Sequence, residues 1–369
     1  METQNNIETN ESCTKEDVIL KHYFRRRNLN VLADETESAL ACMHAARTEK
    51  EQRQQAPTKT AHHVTASRRR NRSWVRGFCY GIAAMLAIAL LIGLFWQSNQ
   101  SPVVIWKAVK DQNNGVTLQC AGGDFILVDG VTDSADVAKM GVVLNDESEL
   151  VYQDDDNVVA TQILTTPSHR CFSVTLSDGT RVTLNANSQL CFPSRFTEEK
   201  RIVNLTGEAY FEVARDEQHP FEVHTPHSTT HVLGTQFNVR SYTPSDAHVT
   251  LIQGEVNVCS KGGAEAVLRP GQDAKIGEDG GMTVKDVDID MYCSWKDGYF
   301  YFDEMKLDEV AREVGRWYNI DVVFSTRRNL DKSVLFSASR ERDVTEVIHL
   351  LNSLGKARFS LKDGVMMVE

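Results

Sequence analysis

One stretch of this chain tolerates very few environments. Residues 77–96 read GFCYGIAAMLAIALLIGLFW, twenty residues without a single charge. Wound as an α-helix they span about 30 Å, the thickness of a bilayer's hydrocarbon core. The run begins only after residue 76, too far into the chain for a secretory leader, and it is longer than a leader's apolar region. It predicts one transmembrane helix at 77–96, with residues 1–76 on one side and 97–369 on the other. Arg68, Arg69, Arg70, Arg72 and Arg76 precede the run, whereas the far side opens with QSNQSPVVIW. Positive charge marks the inner side, so the N-terminus is expected in the cytoplasm and the C-terminus beyond the membrane. Trp74 and Trp96 then fall near the two interfaces, where indoles settle.

The two sides differ in charge. Residues 1–76 hold 14 Lys/Arg against 10 Asp/Glu, and residues 97–369 hold 26 against 41. A net-acidic outer part argues against nucleic acid as its ligand. The basic patches FRRR and SRRRNR on the inner side leave a DNA-binding alternative, but the second abuts the membrane and reads more simply as an orientation signal. The 273 outer residues suffice for two domains, the 76 inner ones for at most one small one. Of eight cysteines, five lie outside at irregular intervals without a CxxC pair. A disulfide framework or zinc site is not indicated, and small buried apolar side chains are the simpler expectation.

The inner segment reads as short helices and a linker. Thr14 and Asp17 have capping-box spacing before DVILKHYFRRR, where Ile19/Tyr23 and Leu20/Phe24 pair four residues apart. Asp34 and Glu37 repeat the signal before SALACMHAARTEKEQ, and QRQQAPTKTAHHVTAS reads as a flexible linker. So little apolar surface hardly makes a core, and folding against a partner compensates.

Beyond the membrane the period changes to two. FSVTLSDGTRVTLNANSQLCF, RIVNLTGEAYFEVARD, THVLGTQFNVRSY and HVTLIQGEVNVCS alternate apolar and polar residues between Gly, Asp and Asn turns. This predicts an all-β domain, with Ala209, Phe211 and Val213 on one face and Glu208, Tyr210 and Glu212 on the other. A VTL strand followed by a Gly turn and a second strand occurs near 116 and near 174, which hints at stacked hairpins or a solenoid-like sheet. From Trp295 the pattern becomes β-α-β-β-α-β-β, a small α+β domain. Its first helix places Leu307, Val310, Ala311 and Val314 on one face, and its second starts at Asp343 as N-cap with Glu346 three residues on.

The blocks TTPSHRCFSVTLSDGTRVTLNANSQLCFPSRF, RIVNLTGEAYFEVARDEQHPFEVHT, VLGTQFNVRSY and VTLIQGEVNV with LRPGQ, in this order, resemble the periplasmic domain of FecR-type anti-sigma factors. The last 75 residues, with WKDGYF, RWYNI and GVMMV, resemble the C-terminal domain of Bacteroidetes-type members, itself similar to the STN module of secretins and TonB-dependent transporters. The resemblance divides the chain into a cytoplasmic helical sigma-binding segment at 1–76, the helix 77–96, a β-rich connecting region at 97–164, the FecR-type all-β domain at 165–290 and the STN-like α+β domain at 295–369. Two departures stand out. Members usually carry a Gly soon after the opening Thr-Pro, where this chain has Ser168-His169, and its inner segment lacks the tryptophan common in sigma-binding helices.

The resemblance implies an inner-membrane regulator that relays a signal from the periplasmic signalling domain of an outer-membrane TonB-dependent transporter to a cytoplasmic extracytoplasmic-function sigma factor. Candidate sigma contacts are Ile19, Leu20, Tyr23 and Phe24; candidate transporter contacts are Tyr299, Tyr301, Trp317 and Tyr318. Some members are cut by an N–O acyl shift at a Gly-Thr bond, and the matching pair is Gly234-Thr235. The plain structural alternative is a strand with Leu233, Thr235, Phe237 and Val239 facing inward.

Other chemistry is poorly supported. His219, His224, His227 and His231 cluster, yet Pro226 and the odd spacing of His224 and His227 disfavour a metal site. Asp154, Asp155 and Asp156 lack the Gly and terminal Glu of a calcium loop. No P-loop, G-x-S-x-G or H-E-x-x-H occurs, so no cofactor, metal or enzyme activity is expected. A membrane-anchored periplasmic binding protein for a glycan or an envelope partner is the alternative reading.

Overall fold

A computed structural model of the chain describes residues 102–109, 115–120, 125–128, 142–144, 149–152 and 159–369, all within the compact unit Phe95–Glu369. The apolar run 77–96 and the candidates Ile19, Leu20, Tyr23 and Phe24 lie outside the described residues. Among the described residues no helix is long and apolar enough to cross a membrane.

The alternating segments fold as period-two sequences should. Strands from Thr117–Cys120 to Met282–Asp286 close into one flattened barrel. Its two faces fill in alternate hairpins. Phe221–His224 with Ser228–Val232 joins one face, and Gln236–Ser241 with Ala247–Gln253 the other. Val256–Ser260 with Glu265–Leu268 then returns to the first, and Gln272–Ile276 with Met282–Asp286 to the second. The stacked hairpins hinted at by the sequence are thus stacked alternately on two layers. The strands Thr117–Cys120 and Leu150–Tyr152 belong to this barrel, paired to Thr161–Thr166 and Phe172–Thr175.

One strand belongs to both faces. The first part of Arg201–Glu212 pairs with Ser188–Pro193 and Phe221–His224, and the second part with Arg181–Leu184 and Gln236–Ser241. The passage is made at Gly207, where φ is +102° and a Cβ would stand 2.4 Å from Ser188 Oγ. Only glycine combines that dihedral with that approach. Inward residues such as Val182, Leu190, Val203, Ala209, Phe211, Phe237 and Val249 are fully buried and form the core.

Leu233 does not face inward as the strand alternative had it. It is 44 % exposed, because Leu233 and Gly234 form a bend between the strands ending at Val232 and starting at Gln236, and the bend breaks the alternation. Phe237 and Val239 do point into the core.

After α1 (Asp290–Cys293) comes the α+β domain, in the expected order. The strand Tyr299–Lys306 leads into α2 (Leu307–Tyr318), then Asp321–Phe324, Ser333–Ser339, α3 (Val344–Ser353), Phe359–Lys362 and Val365–Val368. Leu307, Val310, Ala311 and Val314 of α2 are fully buried, and the helix ends at Asn319, which takes the left-handed conformation at φ 51°. In α3 the Asp343 carboxylate accepts the Thr345 N–H at 2.8 Å, the N-cap bond its sequence foretold. Asp363 and Gly364 both have positive φ, as the tight turn of the closing hairpin requires.

The sheet of this domain holds a fourth strand from far away in the chain. Val103–Trp106, separated from Trp96 by six residues, pairs antiparallel with Asp321–Phe324 and forms the sheet's edge. Ile105 and Trp106 pack against its core.

Candidate functional site

Outward positions on a one-sided sheet are usually solvated. On the second barrel face they are not. Glu208 is 2 % exposed and Asn238 not at all, since residues from Trp295 onward cover them. Trp295 Nε1–H donates to Asn238 Oδ1 at 3.3 Å, and Arg340 Nη1–H to Asn185 Oδ1 at 2.8 Å. Each asparagine so oriented turns its NH2 to Glu208, at 3.0 Å from Asn238 and 2.8 Å from Asn185. Burial raises the Glu208 carboxyl above the ordinary glutamate range, although Arg240 and the two amides act against it.

Beside this clamp lies a buried ion cluster built from both domains. The Arg240 guanidinium meets Asp246 twice, Nε to Oδ1 at 2.6 Å and Nη2 to Oδ2 at 2.9 Å, and also donates to Glu313 of α2. Arg316, one turn along α2, donates to Glu313 Oε1 at 2.8 Å and to Asp246 Oδ2 at 3.3 Å. Burial pushes the Asp246 carboxyl up, but the two guanidiniums outweigh it and hold the group at about 2. The same pair keeps Glu313 below its ordinary value against burial. Arg316 also lies over the Tyr242 ring, 3.5 Å from its centroid, and Arg340 is held between Phe300 and Trp317 at 4.8 and 4.7 Å.

Two turn tips of the barrel complete the junction. His169 has φ 61° and Asn187 φ 56°, uncommon for residues with a Cβ. The His169 N–H donates to Trp317 O at 3.0 Å, its ring meets Trp317 and Tyr318 edge-on, and Asn187 Nδ2 donates to Arg316 O at 3.0 Å. After Thr166-Pro167-Ser168 the chain holds a histidine in a conformation that favours glycine, docked on the neighbouring domain.

Residues 162–257 match the FecR protein family, and residues 299–368 match the family of FecR C-terminal domains. The chain carries a FecR domain followed by a FecR C-terminal domain. Two crystal structures of a candidate anti-sigma factor from Parabacteroides distasonis ATCC 8503 are similar to it at 26 % identity, with TM-scores of 0.53 and 0.52. Each covers 56 % of this chain, which in turn covers 98 % of that one. No curated protein sequence matches.

The four aromatic candidates of the FecR C-terminal domain divide between two clefts. Tyr299 and Tyr301 line a cavity of about 490 Å³ together with Glu208, Arg240, Tyr292 and Arg340. Trp317 and Tyr318 line another, of about 760 Å³, with His169, Arg340 and Arg342. Tyr301 and Tyr318 are buried, whereas Tyr299 and Trp317 are half-buried. The Tyr318 hydroxyl donates to Arg342 O at 2.6 Å and Trp317 Nε1–H to Arg340 O at 3.0 Å, so both have structural employment.

Gly234 and Thr235 sit at the bend before Gln236–Ser241. A Cβ on Gly234 would stand 2.7 Å from Arg215 Cα, so close packing alone demands glycine there. Thr235 is buried, and its hydroxyl donates to Glu255 O at 3.0 Å. The His224 and His231 rings flank the Glu222 carboxylate at 2.8 and 3.1 Å, and the Lys200 ammonium pairs with it at 2.7 Å. Among the described residues no group of His, Cys, Asp or Glu is arranged to hold a metal ion. The five cysteines among the described residues are free, and burial raises the Cys171 and Cys293 thiols, the latter to about 12.

The sequence reading did not single out Arg240, Asp246, Glu313, Arg316 or Arg340. Glu313 and Arg316 stand three residues apart on α2, outside its apolar face of Leu307, Val310, Ala311 and Val314 and on the same side as Glu309 and Arg312, so no local pattern marks them as buried.

Proposed function

We propose that this protein is an inner-membrane anti-sigma factor. Its outer part receives a TonB-dependent transporter's signalling domain and its inner segment holds an extracytoplasmic-function sigma factor. The observation that supports this most is the likeness of the chain to a candidate anti-sigma factor over 98 % of that protein's chain. The ion cluster fits the role, because it makes one receptor of two domains and gives the C-terminal domain a firm hold on the barrel.

The inner segment carries the test. Tagged residues 1–76 should retain one extracytoplasmic-function sigma factor from native lysate, and Leu20→Asp with Phe24→Asp should abolish retention. An intact fragment that retains no sigma factor overturns the proposal in favour of a periplasmic binding protein with an inert inner tail.

Self-cleavage at Gly234-Thr235 belongs to the same reading. The Thr235 hydroxyl attacks the Gly234 carbonyl carbon, the C–N bond breaks, and the hydroxyl proton passes to the freed amine; water then hydrolyses the ester. Room for this exists at Gly254, where a Cβ would lie 2.9 Å from Thr235 Oγ1 and 3.3 Å from Gly234 O. Cleavage should vanish in Thr235→Ala and persist in Thr235→Ser. Purified Thr235 protein that stays intact under non-denaturing conditions rules it out.

A further inference from the structure

Among the described residues, the segment that follows the apolar run is held by the last domain in the sequence, not by the barrel that comes next. More than two hundred residues separate Val103–Trp106 from Asp321–Phe324. A contact that closes so long a loop has to be held by specific groups.

Three bonds hold its exit. The Ala108 N–H donates to Asp321 Oδ1 at 2.7 Å, the Val109 N–H to Asn319 Oδ1 at 2.8 Å, and Asn319 Nδ2 to Val109 O at 3.1 Å. The pairing itself is poor. Val104 faces Val323 and Trp106 faces Val322, so the register slips by one within four residues. Val104 is 52 % exposed. Trp106 fills a slot against Gly315, where a Cβ would stand 3.0 Å from its Cδ1, and its ring lies 5.4 Å from the Arg316 guanidinium. Yet the Trp106 indole N–H is buried with no acceptor. The strand therefore has a well-shaped anchor, an irregular ladder and an unpaired donor.

Lifted away, it would leave the Asp321–Phe324 edge with a row of open backbone groups and an empty aromatic slot, the features that recruit an extended peptide by strand addition. We infer that Val103–Trp106 is an exchangeable strand: an extended, alternately apolar segment of the partner takes its place beside Asp321–Phe324 and releases the stretch that leads to residues 77–96. That the partner is a transporter's signalling domain rests on the proposed function; the exchange itself does not. Because Trp106 lies over Arg316, release also uncovers the ion cluster that joins the two domains.

The test uses the full chain in lipid nanodiscs and a synthetic peptide of residues 101–109, SPVVIWKAV. Hydrogen exchange read by mass spectrometry should show amides of the chain's own 103–106 segment exchanging about tenfold faster with excess peptide, while 321–324 stays protected. A peptide with alanine in place of tryptophan should need about tenfold more for the same effect. A Val104→Cys, Val323→Cys chain, oxidised to join the pair, should lose the response and recover it on reduction. Unchanged exchange at 103–106, or new protection only at the opposite edge Phe359–Lys362, overturns the inference. Sigma-factor capture by residues 1–76 reads the proposed function separately, so the two can fail independently.

Discussion

Arg240 grips Asp246 with two parallel hydrogen bonds, Nε to Oδ1 at 2.6 Å and Nη2 to Oδ2 at 2.9 Å, in a site mostly shielded from solvent. The same guanidinium reaches Glu313 of α2, so one barrel side chain joins both domains. Breaking a buried pair leaves an uncompensated charge, at a cost of about 3–5 kcal/mol. Arg240→Met is expected to destabilise the protein by that amount, read as a lower denaturant midpoint. Replacing Arg240, Asp246, Glu313 and Arg316 together by apolar residues of similar size should recover much of the loss, since no charge is then stranded.

Asp246 makes acid the condition that loosens the junction. Its folded value of about 2 lies below the ordinary aspartate value. A carboxyl depressed by folding stabilises fully above its unfolded value and loses that contribution as pH falls through the folded one. The contribution, about 2 kcal/mol, should be complete above about pH 4 and disappear toward pH 2. Denaturation midpoints measured across that window should fall more steeply for the natural protein than for Asp246→Asn, which starts lower and stays flatter.

Glu208 has the opposite sign. A carboxyl raised by burial binds its proton more tightly when folded, so its contribution weakens as pH rises from the ordinary glutamate value through the folded one. Glu208→Gln is nonetheless expected to destabilise, by about 1–3 kcal/mol. Trp295 and Arg340 fix the two asparagines with their NH2 groups toward position 208, and a glutamine there would set donor against donor. Equilibrium unfolding at pH 7 decides it; a neutral outcome would mean the amides can turn.

Gly315→Ala tests the packing under the strand Val103–Trp106. The added methyl would stand 2.4 Å from Val322 Cγ2 as well as close to Trp106. Overpacking of this kind costs about 1–3 kcal/mol. The expected signature is faster hydrogen exchange at 103–106 with the barrel amides unaffected.

The β-α-β-β-α-β-β order, the Asp343 cap and the inward faces of α2 and of GEAYFEV were legible because each is written locally, in a period or a capping residue. The ion cluster was not. Glu208 and Arg240 occupy outward positions that read as solvated until a second domain covers them, and no local period encodes that cover. The place of Val103–Trp106 was illegible for the same reason: four apolar residues do not say which sheet, two hundred residues on, will receive them. His169 was legible in part. Its missing glycine marked an altered turn, and the structure supplies the partner that holds it.

The strand Arg201–Glu212, turning at Gly207 from one face to the other, acts as a beam through the whole outer part. Its two halves are registered against different neighbours, so it cannot slide without misplacing the core residues of both layers at once. A barrel threaded this way resists sliding of one layer against the other. The edge strand Val103–Trp106, whose ladder slips by one residue, is held by no such double register.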